Sequence, residues 1–471
     1  MERLSGSYSD DVVLLRRRLR ADESFDIIER RLRSAGQEVT LFCIDGFVKD
    51  GEMQRVMQFL GKEKTPRSAR ELSLGLPYTE VDVVDDASKL VTAVLSGASV
   101  LLAPSFGASA IVIDARTYPS RSTAEPSADR AMQGSRDGFV ETLVMNTALL
   151  RRRIRDPRLI VKHLGIGTES PLDIAVCYMT GVADEKIVAR VFARLAEIRP
   201  KTLTLGYRSL IESLLPRGWL NPFPKVRTTE RPDTAAAQVL EGSIVIVCDT
   251  TPEVIILPTS IFDYLSQADD YYFPPLTGSY LRLVRLVILL LSMVATPLWY
   301  LYLENSALLP EALTFLIPRD AGALPIMLQL LLVEVAIDGL KLASMNTPDM
   351  LSSSLSVVGA LILGDFAVTV GWLCPDVILY MAFIAIATFA QQNAELSYAI
   401  KAVRIIMLVL VYFLGVWGLA LGFLIFFLML LSNRTIVGRS YLYPLIPLSP
   451  RALLRMLIRT KKHDPPPQQG E

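Results

Sequence analysis

The pattern of apolar and polar positions changes abruptly after Tyr280. Before this residue, short apolar runs alternate with charged stretches, as is typical of a water-soluble α/β protein. After it come long apolar blocks, each bounded by polar residues or proline, at residues 286–303, 324–345, 355–373, 375–390 and 403–431. A helix needs roughly 20 mostly apolar residues to cross a bilayer core. The pattern therefore predicts an α/β soluble head of two units, followed by an all-α polytopic membrane domain.

The first unit of the head combines helical and strand-like periodicities. Charged residues around an apolar stripe predict one helix over residues 10–35. Runs of β-branched residues predict strands, and amphipathic spacing between them predicts helices. The strands are expected at 39–44, 81–84, 99–102 and 110–113, and the helices at 52–60 and 87–95. This alternation is typical of an α/β layer.

The second unit repeats the end of the first. Its helices are expected at 139–154, 185–198 and 234–240, and its strands at 174–178, 244–248 and 254–257. In both units the last helix runs into a glycine, Gly97 or Gly242, and a hairpin of β-branched residues follows. An internal duplication and a coincidence of two common α/β patterns explain this likeness equally well.

These patterns divide the 471 residues into five segments. A first cytosolic α/β unit is expected over 1–115, a linker rich in Arg, Ser, Pro and Gly over 116–138, and a second cytosolic α/β unit over 139–280. The transmembrane helical domain follows over 281–431, and a basic cytosolic tail over 432–471.

The charge distribution predicts the side of the membrane on which each end lies. The first residues lack the pattern of a signal peptide, and Arg282 and Arg285 directly precede the first apolar block, so the head is expected in the cytosol. The basic tail predicts the same side and therefore an even number of crossings.

The block at 403–431 would be about 43 Å long as one helix. It is expected to break near 415–422 and return, unless the short block at 375–390 is re-entrant.

Composition and motifs argue against an enzyme or a nucleic-acid-binding protein. The 48 basic residues balance the 48 acidic ones, and no basic stripe with interleaved aromatics occurs in the head. Gly165-Ile-Gly167 lacks the third glycine of a dinucleotide fingerprint, and Gly61-Lys62 lacks the upstream glycine of a phosphate loop. The two histidines, His163 and His463, are too few for a His-based metal centre. The sequence therefore predicts no catalytic residue, no cofactor and no metal site.

The cysteines and one arginine run have structural explanations. Each of the four scattered cysteines is expected to be buried and reduced; they are Cys43, Cys177, Cys248 and Cys374. Arg151-Arg152-Arg153 lies at a helix end and could bind phosphate or lipid headgroups. A solvated face or salt bridges between subunits are the favoured explanation for this run.

Ionisable residues inside the apolar blocks are the main functional candidates, because charges are costly in a bilayer. Glu334, Asp338 and Lys341 are spaced i, i+4 and i+7, so they form one stripe on one helix. Asp338 and Lys341 can pair, which leaves Glu334 without an expected partner. Asp365, on the next block, lies at about the same depth in the membrane as Glu334. No Lys or Arg is expected near the two acids, so they predict either a cation held between them or a raised pKa of one acid. The alternative is that these groups are protonated or hydrogen-bonded links between helices.

The block containing Asp365 also has a face of small residues. At 100° per residue, the candidates for lining a pore cluster on one side; they are Ser352, Ser356, Gly359, Ala360, Leu363 and Ala367. Asp365 points to the opposite side. Either the small face lines a water path and Asp365 faces a neighbouring helix, or the small face packs closely and Asp365 meets the ion.

Several runs resemble the GerA family of spore germination receptor A subunits, and together they cover nearly the whole chain. The matching runs are Glu125-Pro126, Gly138-Phe139, Leu149 to Arg153, Asn221-Pro222-Phe223-Pro224, Glu230-Arg231-Pro232, Glu241-Gly242, Leu257-Pro258-Thr259, Asp270-Tyr271-Tyr272 and Asn346-Thr347-Pro348. Within the family, three further runs are similar to a branch of sporulation proteins; they are residues 46–50, 270–278 and 440–447. Nutrient-receptor A subunits usually lack the continuation from Phe273 to Gly278, so direct nutrient sensing is not expected.

The resemblance implies a multi-pass protein of the spore inner membrane with its head on the cytosolic side. It also implies a pentameric ring of identical subunits, release of monovalent cations early in germination, and a channel around the small face. The implied partners are other spore membrane germination proteins and membrane lipid, with no nucleic acid. We therefore expect a homo-oligomeric cation channel or channel-like subunit. The alternatives are a non-conducting scaffold for germination receptor subunits and a secondary transporter, although the hydropathy lacks the inverted repeats of many transporters.

Overall fold

The computed structural model describes residues 3–118, 133–215, 221–267, 269–305, 311–346, 367–391, 393–433, 435–438 and 440–458. Within these ranges two units of helices and strands are followed by a region made of helices. The predicted fold class is confirmed, because the chain changes from sheet-containing units to apolar helices where the hydrophobic pattern changes.

The first unit is a five-stranded antiparallel sheet covered by helices on both faces. Its elements are α1 (Tyr8–Leu19), β1 (Ile27–Ser34), β2 (Gln37–Ile44), α2 (Asp50–Lys62), α3 (Ala69–Gly75), β3 (Val81–Val84), α4 (Ala87–Leu95), β4 (Ser99–Leu102) and β5 (Ala110–Ile113). The strand order is β1-β2-β4-β5-β3. Successive strand residues alternate between faces, so Phe42 packs with α1 and α4 whereas Leu41 packs with α2 and α3.

The second unit repeats this arrangement. Its elements are α5 (Leu143–Arg153), β6 (Leu159–Ile166), β7 (Leu172–Met179), α6 (Glu185–Glu197), α7 (Tyr207–Leu214), β8 (Arg227–Thr229), α8 (Pro232–Leu240), β9 (Ile244–Cys248) and β10 (Val254–Leu257). The strand order β6-β7-β9-β10-β8 is that of the first sheet, position by position. The shared order of helices and strands favours an internal duplication over a coincidence of local patterns.

One predicted helix is wrong over half of its length. The helix expected over residues 10–35 ends at Leu19, where Arg20 adopts a left-handed conformation with φ 58°. Ile27–Ser34 is strand β1, which pairs with β2 along its whole length. Ala35 and Gly36 connect the two strands with φ of 50° and 77°, as a tight two-residue hairpin requires. The charges of β1 belong to an edge strand, on which the adjacent residues Arg30 and Arg31 are both exposed, and their helical spacing was misleading.

The helical region begins at the base of the second unit. Its elements are α9 (Asp269–Tyr272), α10 (Pro275–Glu304), α11 (Ile326–Asn346), α12 (Ala367–Thr369), α13 (Pro375–Phe389), α14 (Ala394–Leu414), α15 (Val416–Ser432) and α16 (Pro450–Leu457). The expected break in the block at 403–431 is confirmed, because Gly415, with φ 55°, separates α14 from α15. Gly418 lies against Leu410 and Gly422 against Met407, so α15 returns along α14 as a helical hairpin.

The second unit packs directly onto these helices. Phe223 and Tyr264 from the head share a hydrophobic core with Leu289 of α10 and Met407 of α14. Asp270, which is fully buried, accepts hydrogen bonds from Arg282 and Arg285 of α10, with Nε–Oδ2 and Nη2–Oδ1 distances of 3.1 Å. The two arginines that flank the first apolar block therefore also fasten the head to α10.

Candidate functional site

A cluster of four charged side chains lies between the apolar helices. Glu334 of α11 accepts hydrogen bonds from Arg404 of α14 (Nη2–Oε1 2.5 Å) and forms an ion pair with Lys401 of the same helix (Nζ–Oε1 3.0 Å). Lys401 also donates a hydrogen bond to Asp338, one turn further along α11. Arg404 in addition donates from Nη1 to the carbonyl oxygen of Ser292 in α10, at 2.9 Å. The cluster is electrically neutral and joins three helices.

These contacts correct the pairing expected from the sequence. Glu334 is not left over, because Arg404 and Lys401 both contact its carboxylate. Asp338 pairs with Lys401 and not with Lys341. Lys341 instead places its ammonium nitrogen 4.7 Å from the centre of the Tyr398 ring. The two acids of α11 therefore have basic partners within the chain, and a cation is not needed to neutralise them.

The local sequence contains a signal for this cluster that the expected pairing overlooked. Lys401 and Arg404 are spaced i and i+3 in the apolar part of α14, so both point to one side of this helix. Buried charges in such helices are almost always paired. A search for complementary pairs of acids and bases on different apolar blocks would have matched this pair with Glu334 and Asp338.

The remaining candidates lie mostly outside the described residues. Ser352, Ser356, Gly359, Ala360 and Leu363 of the small face fall in this part of the chain, as does Asp365. Ala367, the last member of the face, opens α12 and is half-buried. The segment with the small face follows α11, the helix that carries Glu334 and Asp338.

The apolar helices expose large side chains outward. Among the described residues, α10 and α14 are long and apolar enough to cross a membrane, by length and composition. On α10 the exposed side chains include Leu283, Val287, Leu290 and Leu291. An apolar outer surface over a charged but neutral interior is the arrangement that a lipid environment favours.

The cysteines and histidine that were singled out have structural roles. All four cysteines are free and buried, as predicted. Burial raises the pKa of the Cys43 thiol to about 12, which keeps it protonated and unreactive. His163 contacts the carboxylate of Asp173 at 3.0 Å and stacks on Phe25. His463 lies outside the described residues.

The arginine run is not a uniformly solvated face, because Arg152 is exposed but Arg151 is buried and Arg153 half-buried. Arg151 is fully buried and donates from Nε to Oδ2 of Asp26 at 2.7 Å. Arg153 pairs with Asp137 at 2.6 Å, and the guanidinium of Arg152 lies 4.4 Å from the centre of the Tyr118 ring. The run therefore fastens the second unit to the first unit and to residues that precede α5.

Comparison with known proteins identifies the family. The chain matches the family described as Bacillus/Clostridium GerA spore germination protein over residues 14–465. It is 36% identical to stage V sporulation protein AF of Bacillus subtilis (strain 168) over 444 residues, which cover 93% of this chain and 90% of that protein. It is 29% identical to spore germination protein KA of the same organism over 448 residues, which cover 93% of this chain and 81% of that protein.

A solved structure also matches part of the chain. It is the crystal structure of the N-terminal domain of the A subunit of the Bacillus megaterium spore germinant receptor GerK3. The TM-score is 0.41 and the sequence identity 24%, over 54% of this chain and 96% of that one.

These matches agree with the runs that carried the resemblance. The chain contains the three runs typical of the sporulation branch. It is also more similar to stage V sporulation protein AF, at 36% identity, than to spore germination protein KA, at 29%. The named relatives are germination and sporulation proteins, and the family together with the apolar helices indicates a spore membrane protein. The chain belongs to the GerA family of spore germination proteins.

Proposed function

We propose that this chain forms a homo-oligomeric, pentameric cation channel, or a channel-like subunit, in the spore inner membrane. It would release monovalent ions during germination, with the head and the basic tail on the cytosolic side. Its partners would be identical subunits, other spore membrane germination proteins and membrane lipid. Membership of a spore germination family and the two helices of membrane-spanning length support this proposal.

The observation that carries the proposal is the charged cluster between α11 and α14. Charged groups in apolar helices are costly and commonly mark ion pathways. Glu334 and Asp338 are held by Lys401 and Arg404, so the cluster fixes the rotation of α11 about its axis. α11 ends at Asn346, shortly before the small face begins at Ser352. In the proposed ring, the small face, on the segment that follows α11, would line the axis.

Reconstitution with flux measurement tests the channel. Purified full-length protein in liposomes loaded with potassium should release the ion, and a Gly359→Leu variant should release it at least about tenfold more slowly, because every subunit adds a branched side chain to one constriction. Gly339→Leu is the matched control. Gly339 lies on α11 with nothing within 4 Å of the position of an added Cβ, so its flux should equal that of the wild type.

Assembly must be measured together with flux. If the wild-type protein assembles and releases no ions, the channel proposal is wrong. If a well-assembled Gly359→Leu ring conducts normally, the small face does not line the pore, and Asp365 becomes the residue to test. Subunit counting by mass photometry on the same samples measures the expected pentamer.

The neutrality of the cluster favours a second candidate, a non-conducting scaffold for germination receptor subunits. A cluster in which each acid has a base within the chain can serve packing alone. The two candidates differ at Asp365. A scaffold would tolerate Asp365→Ala without loss of germination in spores, whereas a channel that uses this carboxylate would lose ion release while the variant protein still accumulates in the membrane.

A further inference from the structure

The segment that follows the helical hairpin of α14 and α15 presents apolar side chains to the outside. Four consecutive apolar residues, from Leu445 to Leu448, are all exposed. α16 exposes Leu454, and Ile458, directly after its last residue, is also exposed. Runs of exposed apolar residues are unusual in a folded protein unless they take part in an interaction. Residues 445–458 are called the tail segment below.

The tail segment is fixed to the rest of the chain at both ends. Directly before it, Tyr441 and Leu442 are buried in the core that the head shares with α10 and α14. The N–H of Ile261 donates to the carbonyl oxygen of Tyr441 at 3.0 Å. Near the other end, Arg282 of α10 donates from Nη1 to the carbonyl oxygen of Met456 at 3.1 Å. The exposed apolar side chains therefore belong to a docked segment, and within the described part of the chain nothing covers them.

The contact with Arg282 gives the level of α16 along α10. Arg282 lies just before the apolar block at 286–303, and it pairs with Asp270 at the base of the head. The end of α16 therefore lies beside the turn of α10 at which the head ends and the apolar block begins. Leu283 and Val287 are the first exposed apolar residues of α10 beyond Arg282. α16 thus lies at the level where the outer apolar surface of the helical region begins.

The sequence of this region carries basic residues and no acid. Five Lys or Arg residues occur from 451 to 462, and no Asp or Glu occurs from 440 to 463. Arg451 and Leu454 are both exposed, and their i, i+3 spacing places them on one side of α16. A helix that presents Arg together with Leu is typical of helices that lie in the interface of a membrane, with the apolar side chains toward the acyl chains. The charge of the region favours an anionic surface.

We propose that the tail segment lies in the headgroup layer of the leaflet on the side of the head, where it binds anionic phospholipid. Leu445, Ile446, Leu448 and Leu454 would enter the boundary with the acyl chains, and the basic residues would contact lipid phosphates. A lipid surface fits better than a protein partner, because α16 lies at the level where the outer apolar surface of α10 begins. The inference rests on the membrane placement in the proposed function and not on ion conduction.

Fluorescent labels on the full-length protein in lipid nanodiscs test the lipid contact. All four native cysteines are buried, so a thiol-reactive NBD label can be directed to Leu448→Cys or Leu454→Cys, and wild-type protein treated in the same way measures the background. The nanodiscs contain phosphatidylcholine alone or phosphatidylcholine with increasing fractions of phosphatidylglycerol. Lipids with brominated acyl chains quench a label that enters the lipid layer. Glu197→Cys, on the exposed surface of α6, is the control position for the label.

Both labels on the tail segment should be quenched more strongly as the fraction of phosphatidylglycerol rises, and the label at Glu197→Cys should not be quenched. Each basic residue near an anionic membrane surface strengthens binding about fivefold. Arg451→Gln together with Arg455→Gln should therefore weaken the association of the tail segment with the anionic surface at least about tenfold. Arg158→Gln together with Arg194→Gln removes the same charge from exposed positions of the head and should leave the quenching unchanged.

The outcomes separate this inference from its rivals and from the channel. If the labels are quenched equally with and without phosphatidylglycerol, or not at all, the inference is wrong. It is also wrong if the labels are shielded from a water-soluble quencher but not quenched by brominated lipid, because a second copy of the chain or another protein then covers the surface. Quenching without ion flux in liposomes leaves this inference standing and contradicts the channel, and flux without quenching does the reverse.

Discussion

Two of the buried ion pairs in this protein join residues that are remote in sequence. Glu334 and Arg404 are 70 residues apart, and Asp26 and Arg151 are 125 residues apart. Removal of a charge from water costs several kcal/mol, and only close pairing with further hydrogen bonds offsets this cost. Loss of one partner therefore leaves a buried charge uncompensated, which is more costly than loss of the pair.

Glu334→Gln should destabilise the helical region. The change leaves Arg404 buried without a counter-charge, and we expect the free energy of unfolding to fall by about 3 kcal/mol. Thermal unfolding of the purified protein in detergent measures the effect. The double variant Glu334→Leu with Arg404→Met should recover most of the stability, because both charges are then absent.

Lys341→Met is the control for this prediction. Within the described part of the chain, the ammonium group of Lys341 contacts only the faces of the Tyr398 and Phe389 rings. Cation–π contacts at exposed sites contribute about 0.5–1 kcal/mol. Equal losses of stability in Glu334→Gln and Lys341→Met would show that the cluster does not hold the helices together.

Glu29 should make the stability of the first unit depend on pH. Hydrogen bonds from Arg16, with an Nε–Oε2 distance of 2.5 Å, lower the pKa of Glu29 below its usual value. A carboxyl group whose pKa is depressed by folding stabilises the protein above its unfolded pKa of about 4.3, and this contribution is lost as the pH falls through the folded pKa. Glu29→Gln should therefore be less stable than the wild type at neutral pH.

The difference between Glu29→Gln and the wild type should shrink as the pH falls below about 4.3 and vanish only below the folded pKa of Glu29. Urea unfolding curves of both proteins at pH 7 and at about pH 3 measure it. Glu197→Gln, which changes an exposed carboxyl group, should match the wild type at both values. A constant difference across the pH range would assign the effect to packing and not to the ionised carboxylate.

At the scale of elements, glycines decide where helices end and how closely they approach. Gly415 adopts φ 55° and ends α14, a conformation that residues with a Cβ rarely adopt. Gly418 lies on the side of α15 that faces α14, where an added Cβ would lie 2.0 Å from the carbonyl oxygen of Leu410. The hairpin therefore depends on glycine at the turn and on glycine at the contact.

Gly418→Ala should open the hairpin. The two backbones must separate to admit the methyl group, and we expect a loss of about 1–3 kcal/mol, the usual range for overpacking. Gly339→Ala is the control, since its added methyl group meets open space and alanine has the higher helix propensity. Thermal unfolding in detergent compares the two. Equal stability of both variants would mean that α14 and α15 are not in close contact.

At the scale of the whole molecule, a buried network joins the two units of the head. Arg151 contacts Asp26 at 2.7 and 3.0 Å, and its Nη2 also donates to the carbonyl oxygen of Leu159 at 3.0 Å. The hydroxyl group of Ser24 accepts from the N–H of Val161 at 3.0 Å. The second unit in turn shares a hydrophobic core with α10 and α14. The first unit is therefore attached to the helices through the second.

Removal of residues 1–115 should leave assembly partly intact, provided that Arg151 is also changed. The truncation removes Asp26 and Ser24 from the Arg151 guanidinium and leaves it only the carbonyl oxygens of Asp156 and Leu159, so a partly buried charge loses its counter-charge. The truncated chain with Arg151→Met should therefore express better than the truncation alone. Size-exclusion chromatography with light scattering measures the oligomer that each forms.

Truncated protein carrying Arg158→Met is the control for this truncation. Arg158 is an exposed arginine that pairs with Asp156, and its replacement should not rescue the truncated chain. Complete loss of assembly in the stably expressed Arg151→Met truncation would show that the first unit contributes directly to oligomer contacts.

Local patterns in the sequence determined much of the architecture. The strands at Val81–Val84, Ser99–Leu102, Ala110–Ile113, Ile244–Cys248 and Val254–Leu257 have the predicted bounds, because a run of β-branched residues between turn signals needs no distant partner to be recognised. The change from sheet-containing units to apolar helices after Tyr280 and the helix break at Gly415 could also be predicted. Hydropathy, segment length and glycine positions are local features of the sequence, so no distant partner is needed to recognise them.

Tertiary structure alone decided what depends on distant partners. β1 resembles a charged helix until its pairing with β2 is known, because a short charged run with a few apolar residues fits both a helix and an edge strand. The pairing of Glu334 and Asp338 with Lys401 and Arg404, and the burial of Arg151 against Asp26, require the folding of distant segments onto each other. Periodicity in the sequence predicts which face of a helix or strand is buried, whereas the fold determines which residues that face contacts.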